Sequence, residues 1–97
     1  GDRFFWGRTK IRKEKIRRQR VHVVCIAELG SIQKAAVQLQ KNPSSISRMV
    51  HRVEEDLDIV LFTRTPEGLK ATAEGEIYLK TADEILKLYD ALHSDQQ

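Results

Sequence analysis

Two apolar stripes separated by a very short break set the narrowest limit on what this chain can fold into. Ile46, Met49, Val50, Val53 and Leu57 recur at 0, +3, +4, +7 and +11, one face of a helix. The start of that helix is marked. Asn42 can cap it, and Pro43 suits the first helical position, where a missing N–H costs nothing. Just upstream, Ser31 is a good N-cap for a shorter segment in which Ile32, Ala35, Ala36 and Leu39 follow at i, i+3, i+4 and i+7. Ala35 and Ala36 are small enough for another helix to approach closely. Two short helices joined by a tight turn, the second with a polar and basic outer face, form a helix-turn-helix.

Gly30-Ser31, Lys41-Asn42-Pro43, Asp58 and Pro66-Glu67-Gly68 punctuate the rest of the chain. The piece over roughly 11–29 holds Val21, Val23, Val24, Ile26, Ala27 and Leu29, spaced for a buried helix face that stops at Gly30. A buried strand over Val21–Ala27 competes, because the run is rich in β-branched residues. Ile59–Arg64 predicts a short strand. Thr65–Gly68 predicts a turn, and Leu69–Ala71 a returning strand, making a small hairpin. A last helix opens at Thr72, with Gly75 in its first turn. Along it Tyr78, Ala82, Ile85, Tyr89 and Leu92 step by 4, 3, 4 and 3, an a/d seam flanked by Leu79 and Leu86. The seam suits pairing with another chain; packing on its own domain is the alternative.

Length and composition narrow the classes. Ninety-seven residues make one small domain, too short for a dinucleotide-binding unit with a substrate domain or for a barrel enzyme. At 40% hydrophobic and 32% charged, the chain is too apolar to be disordered and too charged for a membrane span. Its longest apolar run, Val23–Ala27, is five residues, against roughly 20 for a spanning helix. No segment resembles a signal peptide, so the chain reads as intracellular and soluble. A single cysteine, Cys25, excludes an internal disulfide and a cysteine-based zinc site; it reads as a core residue. His22, His51 and His93 are scattered, so no metal site is expected. Ser44, Ser45 and Ser47 lack a His–Asp pattern, and no glycine-rich phosphate loop exists, so neither catalysis nor a cofactor is expected.

The net charge of +3 is unevenly spread. Residues 1–20 carry nine Lys/Arg against Asp2 and Glu14, a surplus of +7, and the remainder carries −4. A basic arm on a mildly acidic body is the layout of a polyanion binder, with a solubilising tail as the alternative. Phe4, Phe5 and Trp6 would anchor that arm on the body or on a membrane surface, or stay unstructured. On the helix opening at Pro43, Ser44, Ser45, Ser47 and Arg48 occupy the first turns. Short hydroxyls allow close approach to DNA, and arginine can fork onto guanine or clamp a phosphate. Arg52 lies one turn on. Glu54, Glu55 and Asp56 then repel phosphate, so contact should stop near residue 52.

These residues carry a resemblance. Ala27–Ala36 with Gly30-Ser31 and Ala35-Ala36, then Ser45-Ile46-Ser47-Arg48, then Val53–Arg64 with Leu61-Phe62-Thr63-Arg64, then Gly68–Gly75 with Thr72 and Gly75, are similar to the N-terminal domain of LysR-type transcriptional regulators. The resemblance covers about residues 16–92. It implies a mainly α fold: a winged helix-turn-helix with a three-helix core and a small two-stranded wing, followed by a long dimerisation helix. The corresponding organisation is a basic arm over 1–14, the winged helix-turn-helix over 15–71 and the linker helix over 72–94. The resemblance also implies sequence-specific binding of double-stranded DNA by a dimer in the bacterial cytoplasm, on the nucleoid. The recognition helix, about 43–56, would enter the major groove. Ser44, Ser45 and Arg48 would face the groove, and Ser31, Lys34, Arg52 and the wing residue Arg64 the backbone. Tyr78, Ala82, Ile85, Tyr89 and Leu92 would join two copies into a homodimer.

The departures from the family pattern are specific. Asn42-Pro43-Ser44 stands where the family has Ser-Gln-Pro, so a target site cannot be carried over. Lys41 replaces an aliphatic residue that closes the turn, Asp58 a glycine that ends the helix, Ile32 a phenylalanine, and Arg20 a buried leucine. Residues 1–14 have no counterpart. Family members are about three times as long, with an effector-binding domain after the linker helix, so no small-molecule effector is expected within this chain. Two other readings stay open: a module that captures another regulator through its last helix, and a non-specific nucleic-acid binder driven by the basic arm.

Overall fold

A computed structural model describes residues 13–94. Phe4, Phe5, Trp6 and most of the basic arm lie outside the described residues. Helices α1 (Lys13–Leu29), α2 (Ile32–Leu39) and α3 (Pro43–Leu57) are followed by strands β1 (Phe62–Thr65) and β2 (Gly68–Ala71) and by helix α4 (Ala73–Ser94). The β-branched run Val21–Ala27 is helical: Val23 and Ile26 turn the same way into the core and are fully buried. Tertiary packing outweighs the propensity of single residues there. The core joins them to Ala35, Ala36, Ile46, Val50, Val53 and Leu61, contributed by α1, α2, α3 and the segment after α3.

Backbone caps fix the turns. Gly30, at φ +68°, donates its N–H to the Ile26 carbonyl at 2.7 Å and closes α1. The Ser31 hydroxyl accepts the Lys34 N–H at 3.2 Å and opens α2. At the far end of α2, Gln40 takes a left-handed conformation and bonds the Val37 carbonyl, while the Lys41 N–H bonds the Ala36 carbonyl at 2.9 Å. This is a Schellman pairing. It closes the turn through the backbone, so the exposed Lys41 serves without the usual aliphatic contact. Asn42 Oδ1 then accepts the Ser44 N–H at 2.8 Å, and Pro43 takes the first position of α3. Asp58 ends α3 in a left-handed conformation, at φ 55°.

Two expectations are corrected. Leu57 does not join the core; α3 outruns it there, and the side chain is 52% exposed. Nor does β1 begin at Ile59. The Val60 N–H donates to Glu74 Oε1 at 3.0 Å, the Leu61 N–H to Glu54 Oε2 at 2.8 Å, and the Leu61 carbonyl accepts the Thr72 N–H at 2.9 Å. These groups are taken by α3, by α4 and by the residue before α4, so no strand ladder can form until Phe62.

The hairpin pairs β1 and β2 antiparallel, with Phe62 opposite Ala71 and Arg64 opposite Leu69. It is fastened to the α1–α2 turn: Leu69 N–H donates to the Gly30 carbonyl at 2.9 Å. Gly68 lies so close that a Cβ there would stand 2.7 Å from the Gly30 oxygen. Thr72 caps α4, its hydroxyl accepting the Gly75 N–H at 2.9 Å and donating to the Val60 carbonyl. Arg20, in place of a buried leucine, is half-buried and reaches Asp83 of α4 at 3.7 Å, an ion pair tying α1 to α4. Among the described residues no helix is long and apolar enough to cross a membrane.

Candidate nucleic-acid interface

The buried face of α3 fixes its outer face. With Ile46, Val50 and Val53 locked in the core, Ser44, Ser45, Arg48, His51 and Arg52 are exposed and Ser47 is half-buried. Ser44, Ser47, Arg48 and Arg52 line one shallow groove with Pro43 and with Gln33 from α2. Arg48 and Arg52 make no ion pair with any described acid, so Arg48 is not held by Glu55. His51 pairs with Glu54 at 3.5 Å and sits beside the arginines.

The other expected backbone contacts, Arg52 apart, lie outside this groove. The Ser31 hydroxyl caps α2, which occupies its lone pair and leaves its proton to donate. Lys34 is exposed and makes no ion pair among the described residues, but it flanks Leu29, Val37 and Gln38, away from the α3 groove. Arg64 is exposed at the middle of β1, opposite Leu69, on the wing. Gln33 is the residue that sequence reasoning missed. It lies two positions after the cap Ser31, and the approach of α2 to α3 brings it to the groove. Glu54 has a structural task beyond repelling phosphate, since it holds the Leu61 N–H.

The α4 seam is divided. Ala82 is 4% exposed, and Tyr78 packs against the core. Tyr89 is half-buried, with the Lys13 ammonium 5.7 Å from its ring centre. Ile85 and Leu92 face outward, and so do Ile77 and Leu88, which the seam did not include. Ile77 and Ile85 continue into an apolar groove with Ile16, Leu57 and Ile59. Burial raises the Cys25 thiol pKa, with the Glu28 carboxylate adding to it, which keeps the group a neutral core thiol. No group of three or more metal-ligating side chains occurs among the described residues.

Three helices, a tight turn between the second and third, and a two-stranded hairpin fastened beside them define a winged helix-turn-helix. Comparison with known proteins gives the family. The model of bacterial regulatory helix-turn-helix proteins of the lysR family matches residues 18–76. The chain is 49% identical over 65 residues to the HTH-type transcriptional regulator YofA of Bacillus subtilis, covering 67% of this chain and 23% of that protein. It is 38% identical over 69 residues to ClcR of Pseudomonas putida, covering 71% and 24%. In structure it is similar to CbnR, a LysR family transcriptional regulator, with a TM-score of 0.67 and 32% identity, covering 81% of this chain and 27% of that one. It is similar to the same degree to the CbnR DBD in its DNA complex, there covering 91% of that chain. The BenM DBD bound to catB site 1 DNA matches with a TM-score of 0.65 at 31% identity, covering 79% and 83%. The chain therefore belongs to the LysR family. It spans about a quarter of the length of the curated relatives it matches.

Proposed function

We propose that this chain is the DNA-reading part of a dimeric transcriptional regulator. Residues about 43–56, essentially α3, enter the major groove of double-stranded DNA. Ser44, Ser45, Ser47 and Arg48 face the base edges. Arg52, Ser31, Lys34 and the wing residue Arg64 hold the phosphate backbone. The observation that carries this reading is the outer face of α3: two arginines that make no ion pair among the described residues, beside small hydroxyls, on a helix whose other side is locked in the core. An exposed cation pair that forms no ion pair among the described residues, although Glu55 lines the same groove, suits a polyanion. The activity is binding, without catalysis, and its place is the nucleoid in the cytoplasm. Ile85 and Leu92, with Ile77 and Leu88 beside them, present the surface on which α4 joins a second copy.

The test is selection of bound duplexes from a random DNA pool at about 150 mM salt, where screening suppresses purely electrostatic binding. The expected result is an enriched site with two-fold symmetry, whose half-site spacing reports the dimer geometry. A pool that emerges without enrichment overturns the sequence-specific reading and leaves a general polyanion binder or a partner-capturing module.

A further inference from the structure

The second groove beside α3 has a different lining. It runs between α1 and α3, with Lys15 and Arg18 on one wall, Arg48 and Arg52 on the other, Ser45 at its edge and Met49 on its floor. Lys15 and Arg18 are three apart on α1, and Arg48 and Arg52 four apart on α3, so each helix turns one pair of cations to the same space. Lys15 and Arg18 are exposed, and among the described residues none of the four makes an ion pair. Like charges brought together across a groove repel one another, and an anion seated between them removes that cost. Lys15 precedes the stretch matched by the family model, and Arg18 is its first residue.

We infer that the α1–α3 groove holds one strand of the DNA phosphate backbone, clamped by Lys15 and Arg18 from α1 opposite Arg52. The inference rests on the DNA-binding reading and extends the footprint to a helix outside the helix-turn-helix pair. Arg48 and Arg52 both line this groove and the one beside Gln33; Arg48, one turn nearer the start of α3, reaches bases while Arg52 and the α1 cations hold phosphate. Lys15 and Arg18 supply affinity and register without sequence information.

The experiment measures the affinity of the chain for a duplex of random sequence between about 50 and 300 mM salt, for wild type and for K15Q/R18Q. Each neutralised phosphate contributes about 0.9 to the log–log slope, so the double variant should flatten it by about 1.8 for each protomer on the duplex. K80Q/K87Q, which removes two charges from α4, should leave the slope unchanged. Pool selection with K15Q/R18Q should return the wild-type site, and K15R/R18K should restore the slope. K15Q alone, at an exposed position, should flatten the slope by about 0.9 for each protomer on the duplex and keeps the test valid if the double variant folds poorly. An unchanged slope overturns the clamp while leaving the function intact, provided the wild type still enriches a site. A shifted site assigns Lys15 or Arg18 to base reading and also overturns the clamp. A wild-type chain that binds no duplex overturns both.

Discussion

Arg48 and Gly75 mark two ways in which one residue can matter. Arg48 borders both grooves beside α3 and has no acidic partner to lose among the described residues. Arg48→Ala should leave the melting temperature near wild type, cost about 1–3 kcal/mol on the selected site and relax its sequence preference. Titration of selected and scrambled duplexes checks this; equal affinity and preference in the variant would sink the role. Gly75 acts through space alone. A Cβ on it would stand 2.3 Å from the Leu61 carbonyl oxygen, which is backbone and cannot swing aside. Gly75→Ala should destabilise the fold by about 1–3 kcal/mol, read as a lower thermal midpoint. The caps Ser31, Asn42 and Pro43 were legible in the sequence because capping is local. The reason for Gly75 was not, since its neighbour lies fourteen residues away.

At the scale of elements, amphipathic spacing identified all four helices of the described residues, and the turn signal placed the hairpin. The segment 59–61 escaped because its hydrogen bonds go to Glu54 and Glu74, and no periodicity records such partners. The α4 seam shows the related difficulty that a stripe does not say what covers it. Ala82 is covered from within, whereas Ile85 and Leu92 are not. Ile85→Asp with Leu92→Asp should therefore shift sedimentation toward monomer while the circular dichroism spectrum keeps its helix signal. Ala82→Asp should lose folded protein, because it buries an unpaired charge. A double variant that sediments like wild type would remove α4 from the interface.

For the molecule as a whole, charge and burial set the working range. Burial raises both the Cys25 thiol, from an ordinary 9.0, and the Tyr78 phenol, from an ordinary 10.0. The folded state thus holds protons that the unfolded chain releases more readily. Stability from these groups is complete below pH 9 and falls as pH rises through the folded values. Urea midpoints should drop as pH rises above about 9, and Cys25→Ala should soften the drop. The candidate site was legible where it depended on one helix face, as at Ser44, Arg48 and Arg52. It was not legible where two helices converge: Gln33 on one flank, Lys15 and Arg18 on the other.

The three residues 59–61 also have a mechanical meaning. Glu54 grips one amide from α3, Glu74 grips the adjacent amide from α4, and Thr72 hooks the same stretch from the far side. The joint is bonded from three sides. A load on the outer end of α4 would reach α3 through these bonds, alongside the Arg20–Asp83 tie of α4 to α1. The long helix would then be a lever as well as a handle, its tilt re-aiming the outer face of α3.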